Sequence, residues 1–196
     1  EKRDGINSGT KGEVRDAVET AIAGGAESMS RAGYWLPGAR WGQRMGDGPL
    51  VDAMVGALTD PFDTCHMGIT AENVAAKWGI SREEQDTLAV ESHQRAARAI
   101  DQGYFKDQIL PVELKTRKGT TVFDTDEHVR RDASVEGMAK LRAVFQKDGS
   151  VTAGNASGIN DAAAAVVLME RGAAERRGLT PMARLVAYSH AGVDPK

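Results

Sequence analysis

The sequence has one cysteine, few aromatic residues and no long apolar run. A single cysteine cannot form an internal disulfide, so nothing in the chain indicates an oxidising compartment. No stretch approaches the roughly 20 apolar residues that a membrane-spanning helix needs. The polar first residues do not resemble a secretory signal. We therefore expect a cytoplasmic protein with no membrane partner.

Neither sign of charge is in marked excess. The 196 residues include 25 Lys and Arg and 28 Asp and Glu, for a formal net charge of −3. Without a basic excess there is no electrostatic reason to expect nucleic acid as the main partner. Glycine is plentiful, at 22 residues, which allows close backbone packing and backbone contact with a ligand. The length fits one domain, or a core with a smaller lobe.

Motifs for metal and phosphate binding are also missing. The four histidines lie far apart, with no HExxH pattern and no Cys/His pairing, so no metal site is predicted. There is no GxxxxGK[ST] motif, and no GxGxxG follows a predicted strand. Neither of these two phosphate-binding fingerprints therefore applies to this chain.

Local patterns predict helices separated by a long irregular stretch in the first part of the chain. Helical spacing of apolar residues predicts a helix over 12–23 that stops at Gly24-Gly25, and residues 24–54 are predicted to be an irregular excursion. Thr70 is the expected N-cap of a helix over 71–78, which ends at Gly79.

The next helix has the clearest start signal in the chain. Ser81 and Glu84 form a capping box, and Gly103 ends the helix that follows. The remaining predictions are a turn at Lys118-Gly119 between β-rich runs, a short helix within 132–141, a buried strand or a helix leading into one over 162–169, a helix over 171–178 and a strand over 182–192. Together they indicate a discontinuous α/β core interrupted by an inserted lobe.

Cys65 stands next to His66, and a thiol beside an imidazole suggests a nucleophile. A nucleophilic cysteine needs a base within hydrogen-bond reach, and successive side chains of an extended chain point to opposite sides. The predicted helix start at Thr70 is also too far away to lower the thiol pKa much. A buried packing thiol is favoured. His66 with Met67 either lines a pocket or is a satisfied core histidine.

Two further stretches have polar groups suited to a ligand. In "VTAGNASGIND", residues 151–161, small side chains alternate with Asn and Ser. This pattern suits a narrow channel for a polar linear ligand, and it suits a tight turn equally well. Arg130 and Arg131 form a pair that can hold phosphate bidentately, although exposed arginine pairs are common.

Eight stretches, taken together, resemble the thiolase family. They are "GGAESMS", "RMGDGPLVDAM", "HMGITAENVA", "ISREEQD", "YFKDQILPVEL", "FDTDEHVR", "VTAGNASGINDAAAAVV" and "HAGVDP". They occur in family order and with family-like spacing from Gly24 to Lys196. The third and seventh stretches are the most specific, and the resemblance is nearest to bacterial β-ketothiolases and acetyl-CoA acetyltransferases.

The resemblance implies a thiolase-like α/β fold, in which two similar halves form a layered α-β-α-β-α core. Residues 1–28 would then be part of the N-terminal core, although 1–23 do not match the family. Residues 29–158 would form the inserted loop domain, which binds coenzyme A and takes part in oligomerisation. Residues 159–196 would return to the core and begin the C-terminal half.

The resemblance also implies a reversible Claisen reaction through an acyl-cysteine, with coenzyme A thioesters as substrates and no separate cofactor. The implied binding residues are Leu58 beside the pantetheine arm, His66 and Met67 at the inner end of the acyl pocket, Arg130 near the adenine and phosphate end, Phe145 and Ala153 along the channel, and Ser157 on the pantetheine. The irregular excursion matches a segment that pairs dimers into tetramers, so a homo-oligomer is expected.

The departures from the family concern the catalytic residues. The Cys-Gly-Ser-Gly stretch of the family nucleophile has no counterpart here, nor do the Asn-Glu-Ala-Phe and Gly-His-Pro motifs or the late cysteine. No catalytic residue is therefore predicted, and the chain alone is expected to be inactive. Two hypotheses stay open: part of a thiolase enzyme, or a non-catalytic module that uses the same lobe for coenzyme A binding or oligomerisation.

Overall fold

The computed structural model describes residues 18–194, which divide into two units. We call residues 18–30 together with Asp161–Val193 the strand unit, and Arg31–Asn160 the lobe; residue 194 groups with the lobe. The lobe is thus one continuous stretch of sequence, whereas the strand unit is built from two separate stretches.

The regular elements are short except for two helices in the lobe. In chain order they are β1 (Thr20–Ser28), β2 (Tyr34–Trp35), β3 (Val51–Asp52), α1 (Ala53–Ala57), α2 (Met67–Trp78), α3 (Arg82–Asp101), β4 (Val112–Thr116), β5 (Gly119–Phe123), α4 (Val135–Ala139), β6 (Asp161–Met169) and α5 (Arg171–Arg176), with 3₁₀ turns at Met29–Arg31 and Pro37–Trp41. Among the described helices, none has the length and apolar character needed to cross a membrane.

The strand unit is an antiparallel pair of β1 and β6 followed by α5. The register extends from Thr20 opposite Met169 to Ser28 opposite Asp161. A Cβ on Gly24 would lie 2.6 Å from the Ala164 carbonyl oxygen, so this close approach of the two backbones requires glycine. The apolar run over 162–169 is therefore a strand, as one of its two readings predicts.

Three sequence predictions for the strand unit are wrong. Residues 20–23 belong to β1 and not to a helix, because their backbone groups pair with β6 far along the chain; residues 12–17 of the predicted helix lie outside the described range. Residues 182–192 contain no strand, because they form no ladder with β1 or β6. β6 is also exposed rather than buried along nearly its whole length within the described chain.

Helices α2 and α3 are the main elements of the lobe. Helix α2 begins at Met67 with His66 as its N-cap, four residues before the predicted start, because the His66 ring accepts the Gly68 amide hydrogen and caps the helix one turn ahead of Thr70. It ends at Gly79 in the left-handed conformation, as predicted. The Ser81–Glu84 capping box of α3 is confirmed, and Gly103, with φ +71°, follows its end.

The remaining elements of the lobe are short. The hairpin of β4 and β5 confirms the predicted turn at Lys118-Gly119, and α4 confirms the predicted short helix. The predicted excursion over 24–54 is irregular only in part, because it contains most of β1, both 3₁₀ turns and the two-residue ladder of β2 with β3.

Candidate functional site

Leu58, His66 and Met67 are brought together at the start of α2. An antiparallel bridge joins Thr59 to His66, and the Met67 amide donates to the Leu58 carbonyl oxygen at 2.8 Å. The Asp60 amide donates to the Cys65 carbonyl oxygen at 2.8 Å, which closes the loop between them. Three of the predicted binding residues therefore occupy one small region of the lobe.

The His66 ring connects this region to Phe145. Its Nδ1 accepts the Gly68 amide hydrogen at 3.0 Å, and the ring stacks on Phe145 with 4.8 Å between centroids and 23° between planes. A Cβ on Gly68 would overlap the Phe145 ring, so glycine at this helical position leaves room for the stack. Because Nδ1 is an acceptor, the neutral imidazole carries its proton on Nε2. Within the described chain, Nε2 has no hydrogen-bond partner.

The segment around Phe145 pairs with residues 151 and 152, and the buried Glu72 holds residues 150 and 151. Residues 143 and 152 form an isolated bridge, and the Val144 amide donates to the Val151 carbonyl oxygen at 3.0 Å. Glu72 of α2, which is 6% exposed, accepts both the Ser150 amide and hydroxyl and the Val151 amide at 2.8–3.0 Å. Burial alone would raise the pKa of Glu72, but these hydrogen bonds outweigh it and hold the pKa below its ordinary value.

A second buried carboxylate, Asp86 of α3, holds the following turn. It is 2% exposed and accepts from Arg82 at 2.7 Å and from the Asn155 side-chain amide at 2.9 Å. The same Asn155 amide donates to the Ser150 carbonyl oxygen at 3.0 Å, and its oxygen accepts the Thr152 amide at 2.7 Å. Asn155 therefore serves the tight turn and not a ligand.

We call residues 150–157 the strip. Ala153 and Ser157 of this strip are exposed, in contrast to Asn155. Gly154, between them, packs against Met138 and Leu141, where a Cβ would overlap the Met138 sulfur. Both readings of the stretch 151–161 thus have some basis, because residues 150–156 form the turn while these two side chains remain accessible.

Arg130 and Arg131 differ in their surroundings. The Arg131 guanidinium pairs with Asp101 of α3 at 2.9 Å, and this contact raises the pKa of Arg131 and lowers that of Asp101. The Arg130 side chain is exposed and, within the described chain, takes part in no hydrogen bond or ion pair. Its backbone amide donates to His93 Nδ1 at 3.1 Å. Only one arginine of the pair is therefore open to an anion.

The Cys65 thiol is half-buried and not fully buried as predicted. Its Sγ lies 3.9 Å from the Thr70 hydroxyl oxygen. Because α2 begins at Met67, Cys65 is one residue before the helix cap, so the sequence argument from a distant helix start is wrong. The packing contact with Thr70 nevertheless agrees with a structural role for the thiol.

Several residues that shape the site were not found from the sequence: Gly68, Glu72, Asp86, His93 and His128. Helical spacing was an available signal for the two carboxylates. Glu72 lies four residues after Gly68 and three before Ala75, which puts all three on one face of α2, and Asp86 lies four residues before the buried Val90 of α3. No three His, Cys, Asp or Glu side chains in residues 18–194 come together as a metal site would require.

Solved structures define the class of protein. The chain is similar to the crystal structure of the Bacillus anthracis acetyl-CoA acetyltransferase, with a TM-score of 0.84 and 50% identity, over 90% of this chain and 45% of that one. It is also similar to human mitochondrial 3-ketoacyl-CoA thiolase in complex with CoA, with a TM-score of 0.75 and 43% identity, over 83% of this chain and 40% of that one. The fold is the α/β thiolase fold.

Sequence comparison agrees. Residues 4–172 match the family described as the thiolase N-terminal domain. Beta-ketothiolase BktB of Cupriavidus necator is 68% identical over 180 residues, which are 91% of this chain and 46% of that protein. An acetyl-CoA acetyltransferase of Thiocystis violacea is 56% identical over the same shares. The chain belongs to the thiolase family, and it spans about half the length of the curated relatives it matches.

Proposed function

We propose that this chain is the coenzyme A-binding portion of a thiolase-type acyl-CoA C-acyltransferase. The reaction is the reversible Claisen condensation, or thiolysis, of a 3-ketoacyl-CoA through an acyl-cysteine. The observation that carries the proposal is the stack of His66 on Phe145 beside Leu58 and Met67. Phe145 is 79 positions from His66 in the sequence, and its stacking on the His66 ring beside Leu58 and Met67 supports a common ligand.

At the inner end of the proposed channel, Met67 and Phe145 would line the acyl group, and Met67 is 41% exposed and accessible to it. The proton of the neutral His66 ring lies on Nε2, which would donate to an acyl carbonyl oxygen. The proposed path continues past Ala153 and Ser157, whose hydroxyl would bond the pantetheine. At its outer end Arg130 would hold a phosphate group, since its guanidinium is the unpaired one of the two.

The chemical step needs groups that these binding residues do not provide. A cysteine thiolate attacks the thioester carbonyl and the coenzyme A thiolate leaves, which gives the acyl-cysteine. A second group removes a proton from the carbon next to the thioester carbonyl of another acyl-CoA, and the resulting carbanion attacks the acyl-cysteine and releases the cysteine thiolate. Hydrogen-bond donors stabilise the oxyanion of each step. The one thiol of this sequence, Cys65, is a packing group in our proposal. Residues 1–196 alone are therefore proposed to bind coenzyme A without turnover.

The proposal extends to the substrates, the oligomeric state and the cellular compartment. Coenzyme A thioesters would be the substrates, with no separate cofactor, and the assembly would be a homo-oligomer, a tetramer by the family resemblance. The cytoplasm is the proposed compartment. The alternative is a non-catalytic module for coenzyme A binding or oligomerisation. It differs in what a longer polypeptide containing these residues would do, and a module for oligomerisation alone would not bind coenzyme A.

Calorimetry with coenzyme A, combined with a turnover assay, tests the proposal. The chain should bind coenzyme A, acetoacetyl-CoA with coenzyme A should keep its enolate absorbance, and mass spectrometry should find no acetylated cysteine. Absence of coenzyme A binding would contradict the proposal. Turnover that is lost in Cys65→Ser would contradict the role given to Cys65. A longer polypeptide that contains the Cys-Gly-Ser-Gly motif and binds without turnover would favour the non-catalytic module.

Arg130→Ala gives a sharper test of the phosphate end. It removes a charge-assisted contact worth about 1.5–3 kcal/mol, so binding of coenzyme A should weaken roughly 10-fold to 150-fold, and binding of dephospho-CoA much less. Arg117→Ala removes the same charge from the β4–β5 turn and should affect neither ligand. Equal loss for both ligands in Arg130→Ala would move the phosphate contact elsewhere.

A further inference from the structure

The Arg130 backbone is held by a side chain of α3. Arg130 lies outside every helix and strand, between β5 and α4. Its amide donates to Nδ1 of His93 at 3.1 Å, and its carbonyl oxygen accepts the Ala133 amide at 3.3 Å. His93 is half-buried in the middle of α3, which is the longest helix described. The irregular segment between β5 and α4 is thus hydrogen-bonded to α3 at Arg130, whose side chain has no partner among the described residues.

The same histidine is close to the segment that carries Ser157. The rings of His93 and His128 lie 6.0 Å apart between centroids, at 42°. His128 in turn packs on Gly158, where a Cβ would overlap the imidazole. The residue before that glycine is Ser157. One series of contacts therefore extends from α3 both to the phosphate end and to the pantetheine part of the proposed channel.

We propose that His93 is a positioning residue for coenzyme A, which fixes Arg130 so that its guanidinium meets the phosphate. This inference rests on the proposed function and adds to it a residue that would not touch the ligand. The role requires an unprotonated Nδ1, because only then can the ring accept the Arg130 amide hydrogen. Without that acceptor the segment gains conformational freedom, which binding must then remove.

The expected loss follows from the cost of ordering about one residue, which corresponds to a fivefold to thirtyfold change in an equilibrium constant. The loss should fall mainly on coenzyme A and much less on dephospho-CoA, because the hydrogen bond that His93→Ala removes holds the Arg130 backbone, whereas its ring contact with His128 involves no hydrogen bond. A merely structural role for His93 would weaken both ligands alike.

Calorimetry with both ligands on five variants, Arg130→Ala included, provides the test. His93→Ala should weaken coenzyme A about fivefold to thirtyfold, whereas His93→Asn should restore binding, because its side-chain oxygen can accept the same amide hydrogen. The double variant of His93→Ala with Arg130→Ala should bind no more weakly than Arg130→Ala alone, since the two act through one contact. Gln94→Ala, an exposed change on the next residue of α3, is the control and should bind as the unaltered chain does.

The outcomes separate this inference from the proposed function. If the unaltered chain fails to bind coenzyme A, or binds dephospho-CoA equally well, the proposed function or its phosphate contact is wrong. If it prefers coenzyme A and His93→Ala keeps that preference, only the role of His93 is overturned. Equal loss for both ligands, failure of His93→Asn to restore binding, or additive losses in the double variant would also overturn it.

Discussion

At the scale of single residues, His66 shows how one imidazole can serve a helix and a ligand together. Its Nδ1 is occupied by the Gly68 amide, which satisfies one of the free N–H groups at the start of α2. The cap thereby sets the tautomer, and the remaining N–H lies on Nε2. Stacking on Phe145 restricts the ring further. The same bonds that begin the helix therefore prepare the group that we propose for the acyl carbonyl.

Cys65 stands next to His66, which suggests a catalytic thiol, whereas in our proposal the thiol is a packing group. We expect Cys65→Ser to leave folding and coenzyme A binding nearly intact, at a cost on the order of 1 kcal/mol, because the thiol packs against Thr70. Iodoacetamide labelling of the native chain measures its reactivity. Labelling faster than that of an ordinary free thiol at neutral pH would show an activated thiolate and contradict this expectation.

At the scale of elements, α2 and α3 act as a platform with one buried carboxylate each. Glu72 accepts from residues 150 and 151, and Asp86 accepts from Asn155, so the two helices hold a strip that has little regular structure of its own. A buried carboxylate is stable only when such donors surround it. Residues 150–156 are thus held by the two helices in addition to the hydrogen bonds of their own turn.

Glu72→Gln tests this platform and its pH dependence. The folded pKa of Glu72 lies below its ordinary 4.5, so its contribution to stability is complete above 4.5 and is lost as the pH falls through the lower folded value. Loss of the charged acceptor should cost about 1.5–3 kcal/mol of the free energy of unfolding at pH 7. The difference from the unaltered chain should be smaller at an acidic pH below 4.5 than at pH 7.

Urea unfolding at both pH values measures this difference. Glu113→Gln on β4 is the matched control, because Glu113 is exposed. A penalty for Glu72→Gln that stays constant at low pH would mean that the carboxylate charge is not what holds residues 150 and 151.

Local signals in the sequence predicted some elements well and others not at all. The capping box of α3 and the glycine after α2 depend on residues close together in the sequence, so the start of α3 and the end of α2 could be predicted. The start of α2 was missed because histidine is an uncommon cap and Thr70 a common one. β1 was missed because its partner lies far along the chain, a contact that no local pattern contains.

Of the candidate site, the residues proposed to contact the ligand could be predicted from the sequence, but most of the residues that support them could not. The resemblance to a family supplied the positions proposed to touch coenzyme A, such as Arg130 and Ser157. The residues that hold them, such as Glu72 and His93, required the structure, since their contacts join residues 37 or more positions apart. Helical spacing can indicate that Glu72 is buried, but it does not show which distant residues a buried side chain holds.

At the scale of the whole molecule, the stretch from β2 to β3 exposes large apolar side chains. Tyr34 is 62% exposed, Trp41 85% and Leu50 67%. Apolar groups that cluster in one segment indicate a contact surface more often than isolated ones do. This agrees with the proposed assembly into a homo-oligomer.

We therefore expect more than one copy per particle in solution. Light scattering at micromolar concentration should give a mass above that of a single 20.9 kDa chain. Replacing Trp41 and Leu50 with Ser should lower that mass, whereas the same change at the exposed Leu88 of α3 should not. A monomeric mass for the unaltered chain would contradict the proposal.

The antiparallel pairing of β1 with β6 also has a consequence for synthesis on the ribosome. Ser28 and its partner Asp161 are 133 positions apart, so at typical elongation rates β1 waits roughly 7–27 s for β6 to be made. The lobe, being one continuous stretch, can fold during that interval. A nascent chain halted once residue 160 has left the ribosomal exit tunnel, but before β6 has, should already protect α2 and α3 from limited proteolysis. Rapid cleavage within these helices would show that the lobe waits for β6 as well.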